Sequence, residues 1–255
     1  MRGIERFREA FADFEEQYVL IGGAACSLLF EEAGGTFRAT KDLDIVLIVE
    51  ALSEAFARRF WSFVREGGYQ INRRSDGVPR YYRFEKPSNT AYPAMLELFT
   101  RRAVDWIDQK STLEPLPLGD DISSLSAIIL NDAYYRMVRE GARLVEGVRV
   151  LGPEYLIPLK AKAWLDLSRE QAEGVRHIDS KNISKHKKDV ARLAILLTED
   201  RPELPEEVRE DMRQFLSEYI REPVRPKDLG IRGINAEEIE VRLRRVYGLG
   251  EVIKE

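Results

Sequence analysis

Residues 18–49, YVLIGGAACSLLFEEAGGTFRATKDLDIVLIV, contain two apolar runs of strand length separated by a helical segment. The first run, YVLIG (18–22), ends in a glycine pair, and the second, DIVLIVE (44–50), is rich in the β-branched residues typical of strands. Between them, AACSLLFEEA is followed by Gly34 and Gly35, which is a typical end for a helix. The stretch therefore predicts a strand, a helix and a second strand in succession.

Two aspartates, Asp42 and Asp44, stand at the start of the second strand. Side chains at i and i+2 of a strand share a face, so the two carboxylates should lie side by side while Leu43 and Ile45 face the core. Neighbouring carboxylates repel each other unless a cation lies between them. Oxygen ligands at this spacing suit Mg²⁺ bound jointly with nucleotide phosphates. The alternative is a pair of solvated carboxylates at the beginning of a strand.

The glycine pair Gly22-Gly23 indicates a second part of the same chemistry. Glycine has no Cβ, so the backbone can approach a phosphate closely at these positions. The helix that follows presents free N–H groups at its N-terminus, where anions bind. We therefore expect a phosphate-binding turn directly before the helix.

A third carboxylate is expected from another strand, MLELFT (95–100). Alternation places Glu97 on one face with Met95 and Phe99, and Glu97 is the only charged residue of the segment. We interpret Glu97 as the residue that completes a two-metal site. The alternative is a residue of an edge strand that faces water.

The rest of the chain shows two kinds of secondary-structure pattern. Up to about residue 151, strand and helix patterns are mixed without the strict alternation of a doubly wound sheet. After Pro153, four long segments all have helical periodicity. The sequence thus predicts an α+β protein, with a mixed-sheet domain over residues 1–151 and an α-helical domain over residues 152–255.

Composition excludes several classes of protein. Lys and Arg number 40 against 44 Asp and Glu, so no overall positive field indicates nucleic-acid binding, which would have to come from a local patch. A single cysteine and two histidines exclude disulfide bridges within the chain and zinc sites built on several of these residues. We find no signal peptide and no apolar run that would span a bilayer, so we expect a cytoplasmic protein without a membrane partner.

The glycine pair followed by Asp-x-Asp on the next strand resembles the nucleotidyltransferase superfamily with a DNA polymerase beta-like palm. The fuller pattern resembles the AbiEii/AbiGii toxin family of type IV toxin–antitoxin systems, relatives of the MenT toxins. It comprises Gly22-Gly23, RATKDLD (38–44), Lys160-x-x-Ala163 and Lys188-Asp189. Arg192 stands where the family often has an aspartate.

This resemblance implies a palm domain followed by a helical domain, and transfer of NMP from an NTP with Mg²⁺ or Mn²⁺ and release of pyrophosphate. It implies a toxin with a cognate antitoxin protein, and an RNA acceptor such as the 3′ end of a tRNA. The metal ligands would be Asp42, Asp44 and Glu97. The nucleotide would be bound by Gly22, Gly23, Arg38, Thr40 and Lys160. The catalytic residues would be Asp42, Asp44, Glu97, Lys160 and Asp189.

The predicted position of Lys160 is unusual for a lysine, independently of the resemblance. On the helix predicted over residues 153–170, it falls inside the stripe formed by Leu156, Ala163 and Leu167. A lysine that faces inward needs an anionic partner or a route to solvent. A nucleotide triphosphate would be such a partner, and a lysine that snorkels to solvent is the alternative. For Asp189 the alternative to a functional role is a pair with Lys185.

The identity of the acceptor is the most open part of the sequence interpretation. The segment INRRSDGVPRYYRFEK (71–86) interleaves five cations with aromatic residues, as patches that bind a nucleic-acid backbone do. A charged hairpin that protects a sheet edge has the same composition. A nucleotidyltransferase with a small-molecule or protein acceptor, or a non-catalytic nucleotide-binding module, are therefore alternatives.

Overall fold

The structure is a computed structural model that describes residues 1–71, 81–101, 128–129, 131–174 and 178–250, with the side chains of residues 71, 81 and 82 left out. The chain forms two compact units. The first comprises Met1–Leu130 and Val138–Gly152, and the second comprises Asn131–Met137 and Pro153–Glu255. Each unit is described by itself below.

The first unit is built on a mixed β-sheet. Within the described residues it has seven strands in the order β3-β4-β5-β2-β1-β7-β6. β2 runs parallel to β5, and β1 runs parallel to β7, while the other neighbouring pairs are antiparallel. The strands are β1 (Tyr18–Ile21), β2 (Asp42–Leu47), β3 (Gln70–Ile71), β4 (Tyr81–Glu85), β5 (Met95–Phe99), β6 (Ala142–Val145) and β7 (Val148–Leu151). The predicted mixed sheet of an α+β protein is thereby confirmed.

Among the described residues of this unit, three helices accompany the sheet: α1 (Ile4–Phe11), α2 (Gly22–Glu32) and α3 (Glu54–Gly67). Both ends of α3 are capped: the Ser53 side chain accepts a hydrogen bond from the Phe56 N–H, and Gly68 adopts φ 63°. Aromatic rings of α1, β1 and α3 pack together with centroids 4.6–6.3 Å apart. The rings are those of Phe7, Phe11, Tyr18, Phe56, Phe60 and Phe63.

The second unit is helical. After α4 (Asp132–Glu140), which begins among its residues, it contains α5 (Pro153–Ala172), α6 (Ser180–Leu193), α7 (Glu206–Arg221) and α8 (Ala236–Tyr247). These last four are the helices that the sequence predicts after Pro153. None of the helices in the described residues has the length and apolar character needed to span a bilayer.

Two antiparallel strand pairs, β6–β7 and β3–β4, lie in segments that the sequence predicts as strands or as a charged hairpin. The β6–β7 turn has positive φ at Glu146 (46°) and Gly147 (75°), as a tight two-residue hairpin turn requires. The β3–β4 pair confirms strands in the segment around residues 71–86, but Arg73, Arg74 and Arg80 of the cationic patch lie outside the described residues. Of the short apolar run at 125–130, residues 128 and 129 are described, and they are helical.

Candidate functional site

The two aspartates of β2 project from the accessible side of the strand. Leu43 is completely buried and Ile45 nearly so, whereas Asp42 and Asp44 are half-buried. This confirms the predicted alternation, which leaves both carboxylates on one face. In the sheet register Asp44 lies between Ile21 at the end of β1 and Glu97 of β5. The aspartates therefore sit beside the point where β1 passes into α2.

Asp44 lies directly against the first glycine of the pair. A Cβ atom added to Gly22 would come within 1.7 Å of Asp44 Oδ2, far inside van der Waals contact. Gly22 also has φ +64°, in the left-handed region that side-chain-bearing residues rarely adopt. Two independent reasons therefore require glycine here: the positive φ of the backbone, and the absence of space for a Cβ atom beside the Asp44 carboxylate. The result is a carboxylate held at the start of α2.

The second glycine has a similar neighbour. A Cβ atom added to Gly23 would meet the Thr40 hydroxyl oxygen at 2.6 Å. Thr40 belongs to the loop that leads from α2 into β2, so this contact brings the loop onto the N-terminal turn of the helix. The structure therefore brings together four of the predicted site residues: Gly22, Gly23, Thr40 and Asp44.

Arg38 lies on the same loop and is half-buried. Its guanidinium lies 5.3 Å from the centroid of the Phe37 ring, a cation–π distance. The Phe37 ring packs in turn on Phe30 of α2, with centroids 5.3 Å apart. The aromatic contacts thus tie the Arg38 segment to α2, and its role in nucleotide binding stays a prediction.

Glu97 occupies the register position next to Asp44, but it is paired with an arginine. Nε and Nη2 of Arg83 on β4 both donate to Glu97 Oε1, at 3.0 and 2.7 Å. The Glu97 side chain is only 9% exposed, so this is a desolvated ion pair. The sequence analysis placed Arg83 in a nucleic-acid patch and missed this contact, because the β4–β5 register cannot be read from either strand alone.

These residues can be tested for their fit to a divalent cation. In the described residues, no group of three or more His, Cys, Asp or Glu side chains is arranged to hold a metal ion. The predicted set of three carboxylates is therefore not assembled while Arg83 holds Glu97. Asp42 and Asp44 still fit Mg²⁺, because this ion commonly binds one or two protein carboxylates and completes its shell with substrate phosphates and water.

Lys160 lies in the second unit and is buried there, as its place in the apolar stripe predicts. Its Nζ is 3.3 Å from Asp189 Oδ2 of α6, and the Asp189 side chain has no exposed surface. Arg192 Nη1 approaches the other oxygen of Asp189 at 3.7 Å. A protein carboxylate is therefore one anionic partner of Lys160. The arginine that departs from the family pattern adds a second cation to the same carboxylate.

This ion pair changes what should follow from removing the lysine. With Lys160 buried merely beside apolar residues, Lys160→Met would leave apo stability unchanged or raised. With Asp189 as partner, we expect the substitution to cost about 1.5–3 kcal/mol, because a completely buried carboxylate loses a cation. Urea unfolding of Lys160→Met and Lys160→Met/Asp189→Asn measures this, and the double variant should recover part of the loss. An equally stable single variant would contradict the pairing.

Lys162, two residues further along α5, joins two carboxylates. Its Nζ lies 3.3 Å from Asp166 Oδ1 and 3.3 Å from Asp211 Oδ1. The Tyr134 hydroxyl donates to the other oxygen of Asp211 at 2.8 Å. Burial raises the pKa of Asp166, while Lys162 opposes that rise. Lys162 is therefore part of a packed polar cluster within the helical unit.

We expect Lys162→Met to destabilise the protein in a pH-dependent manner. Without the lysine, the pKa of Asp166 rises further above its unfolded value, so folding disfavours the ionised carboxylate. The destabilisation is complete above the pKa of Asp166 in the folded protein. It decreases as the pH falls below that pKa and is gone below the pKa of the unfolded state. Melting temperatures at pH 7.5 and pH 4.5 measure the effect. Arg169→Met is the control, since this partner of Asp166 is mostly exposed. A penalty independent of pH would contradict this explanation.

No protein-family model matches the sequence, and no curated protein matches it. Among solved structures, the chain is similar to an antigenic nucleotidyltransferase-like protein from Paracoccidioides brasiliensis. The two proteins are 16% identical with a TM-score of 0.48, and the similarity covers 96% of this chain and 95% of that chain. At this level of similarity, an activity has to be argued from the residues themselves.

Proposed function

We propose that the protein is a nucleotidyltransferase that uses Mg²⁺ or Mn²⁺ to transfer NMP from an NTP to an acceptor hydroxyl. The observation that carries this proposal is the position of Asp44, whose carboxylate lies against Gly22 at the first residue of α2. Asp42 shares its face of β2. This position supports the proposal, because carboxylates at the start of a helix could hold a cation while the helix N–H groups bind the phosphates of a metal–triphosphate complex.

Each part of the site has a defined role in this proposal. Asp42 and Asp44 would hold the divalent cation, which supplies charge neutralisation for the triphosphate when bound. The N-terminal turn of α2 would bind phosphate oxygens through its amides, with the Thr40 hydroxyl beside it. The acceptor oxygen forms a bond to the α-phosphorus, the bond from that phosphorus to the bridging oxygen breaks, pyrophosphate leaves, and the hydroxyl proton passes to solvent water.

Glu97 would join the metal site only if it exchanged its partner. Arg83 holds Glu97 Oε1 in this structure, so a cation that bound this oxygen would have to replace the guanidinium. Arg83 would then be able to bind an anionic group of the substrate. We therefore propose that Glu97 is the third metal ligand and that Arg83 competes with the metal for it. One substitution can test both roles.

Arg83→Met should destabilise the apo protein by about 1–3 kcal/mol, because the nearly buried Glu97 loses its cation. If Glu97 can bind Mg²⁺, the ion should restore more stability in this variant than it adds to the wild-type protein. Melting curves across a Mg²⁺ titration measure the difference. Arg58→Met, which breaks an exposed pair with Glu54, is the control. The same Mg²⁺ increment in all three proteins would remove Glu97 from the metal site.

The acceptor that we favour is an RNA hydroxyl, for example at the 3′ end of a tRNA, and the biological role that we propose is that of a toxin with an antitoxin partner. The resemblance of the motif in residues 18–44 to the AbiEii/AbiGii family supports this choice. Incubation with each α-labelled NTP, Mg²⁺ and total RNA tests it, with parallel reactions that offer protein or small-molecule acceptors. Label in RNA is the expected result, and label only in another acceptor would replace that part of the proposal.

A toxin role has its own test. Expression of the wild-type chain should arrest growth, whereas an equally abundant variant that lacks the Asp44 carboxylate should not. Growth arrest by both proteins, or by neither, would contradict a toxin that acts through nucleotide transfer.

A further inference from the structure

A pocket of about 560 Å³ opens within the helical unit, lined by α5, α6 and the segment that follows α7. Its volume falls in the range of small-ligand sites. The side chains that line it include hydroxyl groups from both helices and cationic groups from α6 and from the segment after α7. They include Ser168 from α5, Ser184, Lys187 and Lys188 from α6, and Arg225 from the following segment. Donors thus outnumber acceptors among the lining side chains that can form hydrogen bonds.

Lys187 is the unusual member of this pocket, because its side chain is only 10% exposed. Its ammonium lies 5.4 Å from the ring centroid of Trp164 and 5.8 Å from that of Tyr219. The two rings stabilise a desolvated cation, but they accept no strong hydrogen bonds from it. A largely desolvated ammonium is therefore held at the wall of a pocket by aromatic groups.

The carboxylates near this ammonium are weak competitors for an incoming anion. Glu222 Oε2 lies 3.6 Å from Lys187 Nζ, but the Glu222 side chain is 94% exposed, so water screens this pair and the carboxylate can turn away. Asp228, the other acidic residue of the lining, accepts from Arg225 Nε at 2.9 Å. Among the described residues, the carboxylate paired with Lys187 is that of Glu222, and this pair is loose.

We infer that this pocket binds a phosphate group, with Lys187 as its principal cation. A phosphate carries up to two negative charges and several acceptor oxygens, which match two lysines and the hydroxyls of Ser168 and Ser184 better than a single carboxylate would. The phosphate could belong to a free nucleotide or to a nucleic-acid backbone, since both present the same group. This inference does not depend on the proposed transfer activity, because its residues are distinct from Asp42, Asp44 and Glu97.

Calorimetric titrations of the full-length chain test the inference. The Asp42→Asn/Asp44→Asn background and EDTA remove metal-dependent nucleotide binding, and the probes are inorganic phosphate, ATP and a short oligoribonucleotide. We expect Lys187→Met to weaken binding at least about tenfold, the loss of one hydrogen bond to a charged group. Glu222→Gln should strengthen binding about two- to fivefold, because the competing carboxylate is gone. Lys181→Met, on an exposed position of the same helix, is the matched control.

The probes separate the two sources of phosphate. Tighter binding of the oligoribonucleotide than of ATP indicates a backbone site, and the reverse indicates a free nucleotide. A structural role for Lys187 alone would lower the melting temperature of Lys187→Met without any phosphate binding by the wild-type or Glu222→Gln protein. That result, or equal affinities in Lys187→Met and Lys181→Met, would overturn the inference.

Discussion

Asp44→Asn should reduce nucleotide transfer by at least about 10²–10³-fold, the range seen when one electrostatic group of an active site is lost, while the protein stays folded. Asparagine keeps the shape that packs against Gly22 and removes only the charge. Because Asp42 and Asp44 repel each other, the apo variant should melt at the same temperature as the wild-type protein or higher. Transfer of labelled NMP, normalised to folded protein, measures the loss.

The control for this substitution is Asp13→Asn, which changes an exposed carboxylate elsewhere in the same unit. It should leave transfer unchanged. A folded Asp44→Asn protein with wild-type activity at saturating Mg²⁺ would show that the β2 carboxylates are not the metal ligands, and the proposed function would fall with them.

Gly22→Ala should cost about 2–5 kcal/mol of unfolding free energy. A non-glycine residue in the left-handed region costs roughly 1–2 kcal/mol, and the new Cβ also collides with Asp44 Oδ2, which adds an overpacking cost of about 1–3 kcal/mol. Gly34→Ala separates the two causes, because Gly34 has φ +72° and nothing within 4 Å of its added Cβ. It should lose only the backbone part.

A double-mutant cycle identifies the collision directly. In Gly22→Ala/Asp44→Gly the clashing carboxylate is absent, so the double variant should regain about 1–3 kcal/mol relative to Gly22→Ala and approach the cost of Gly34→Ala. Denaturant unfolding of the four proteins supplies the energies. Additive losses of unfolding free energy in the cycle would mean that Asp44 does not collide with the Cβ atom of an alanine at position 22.

The predictable parts of this protein are the ones that depend on local periodicity. Alternation along β2 is enough to place Asp42 and Asp44 on one face, because successive side chains of a strand point to opposite faces and Leu43 and Ile45 are buried. The ends of α3 and the turn at Glu146-Gly147 follow equally from short-range backbone rules.

The parts that sequence analysis missed are contacts between elements. Arg83 and Glu97 meet because β4 and β5 adopt one particular register, and a shift by one residue would place Arg83 on the opposite face. Lys160 and Asp189 are both recognisable as chemically notable residues, but their pairing depends on how α5 packs against α6. Periodicity identifies which face of an element is buried and does not identify the partner on the other side.

The order of strands in the sheet also has a consequence for how the chain folds. β1, whose four residues are completely buried, lies between β2 and β7, and Leu20 pairs with Val150 at the far end of the unit's sequence. During synthesis on the ribosome, β1 and β2 emerge early, yet one edge of β1 has no strand to join until the β6–β7 hairpin has been made. An uncovered apolar edge is a site for aggregation. The unit therefore completes its sheet late, with slow folding from its long-range pairing, and depends on its last hairpin to remain soluble while it folds.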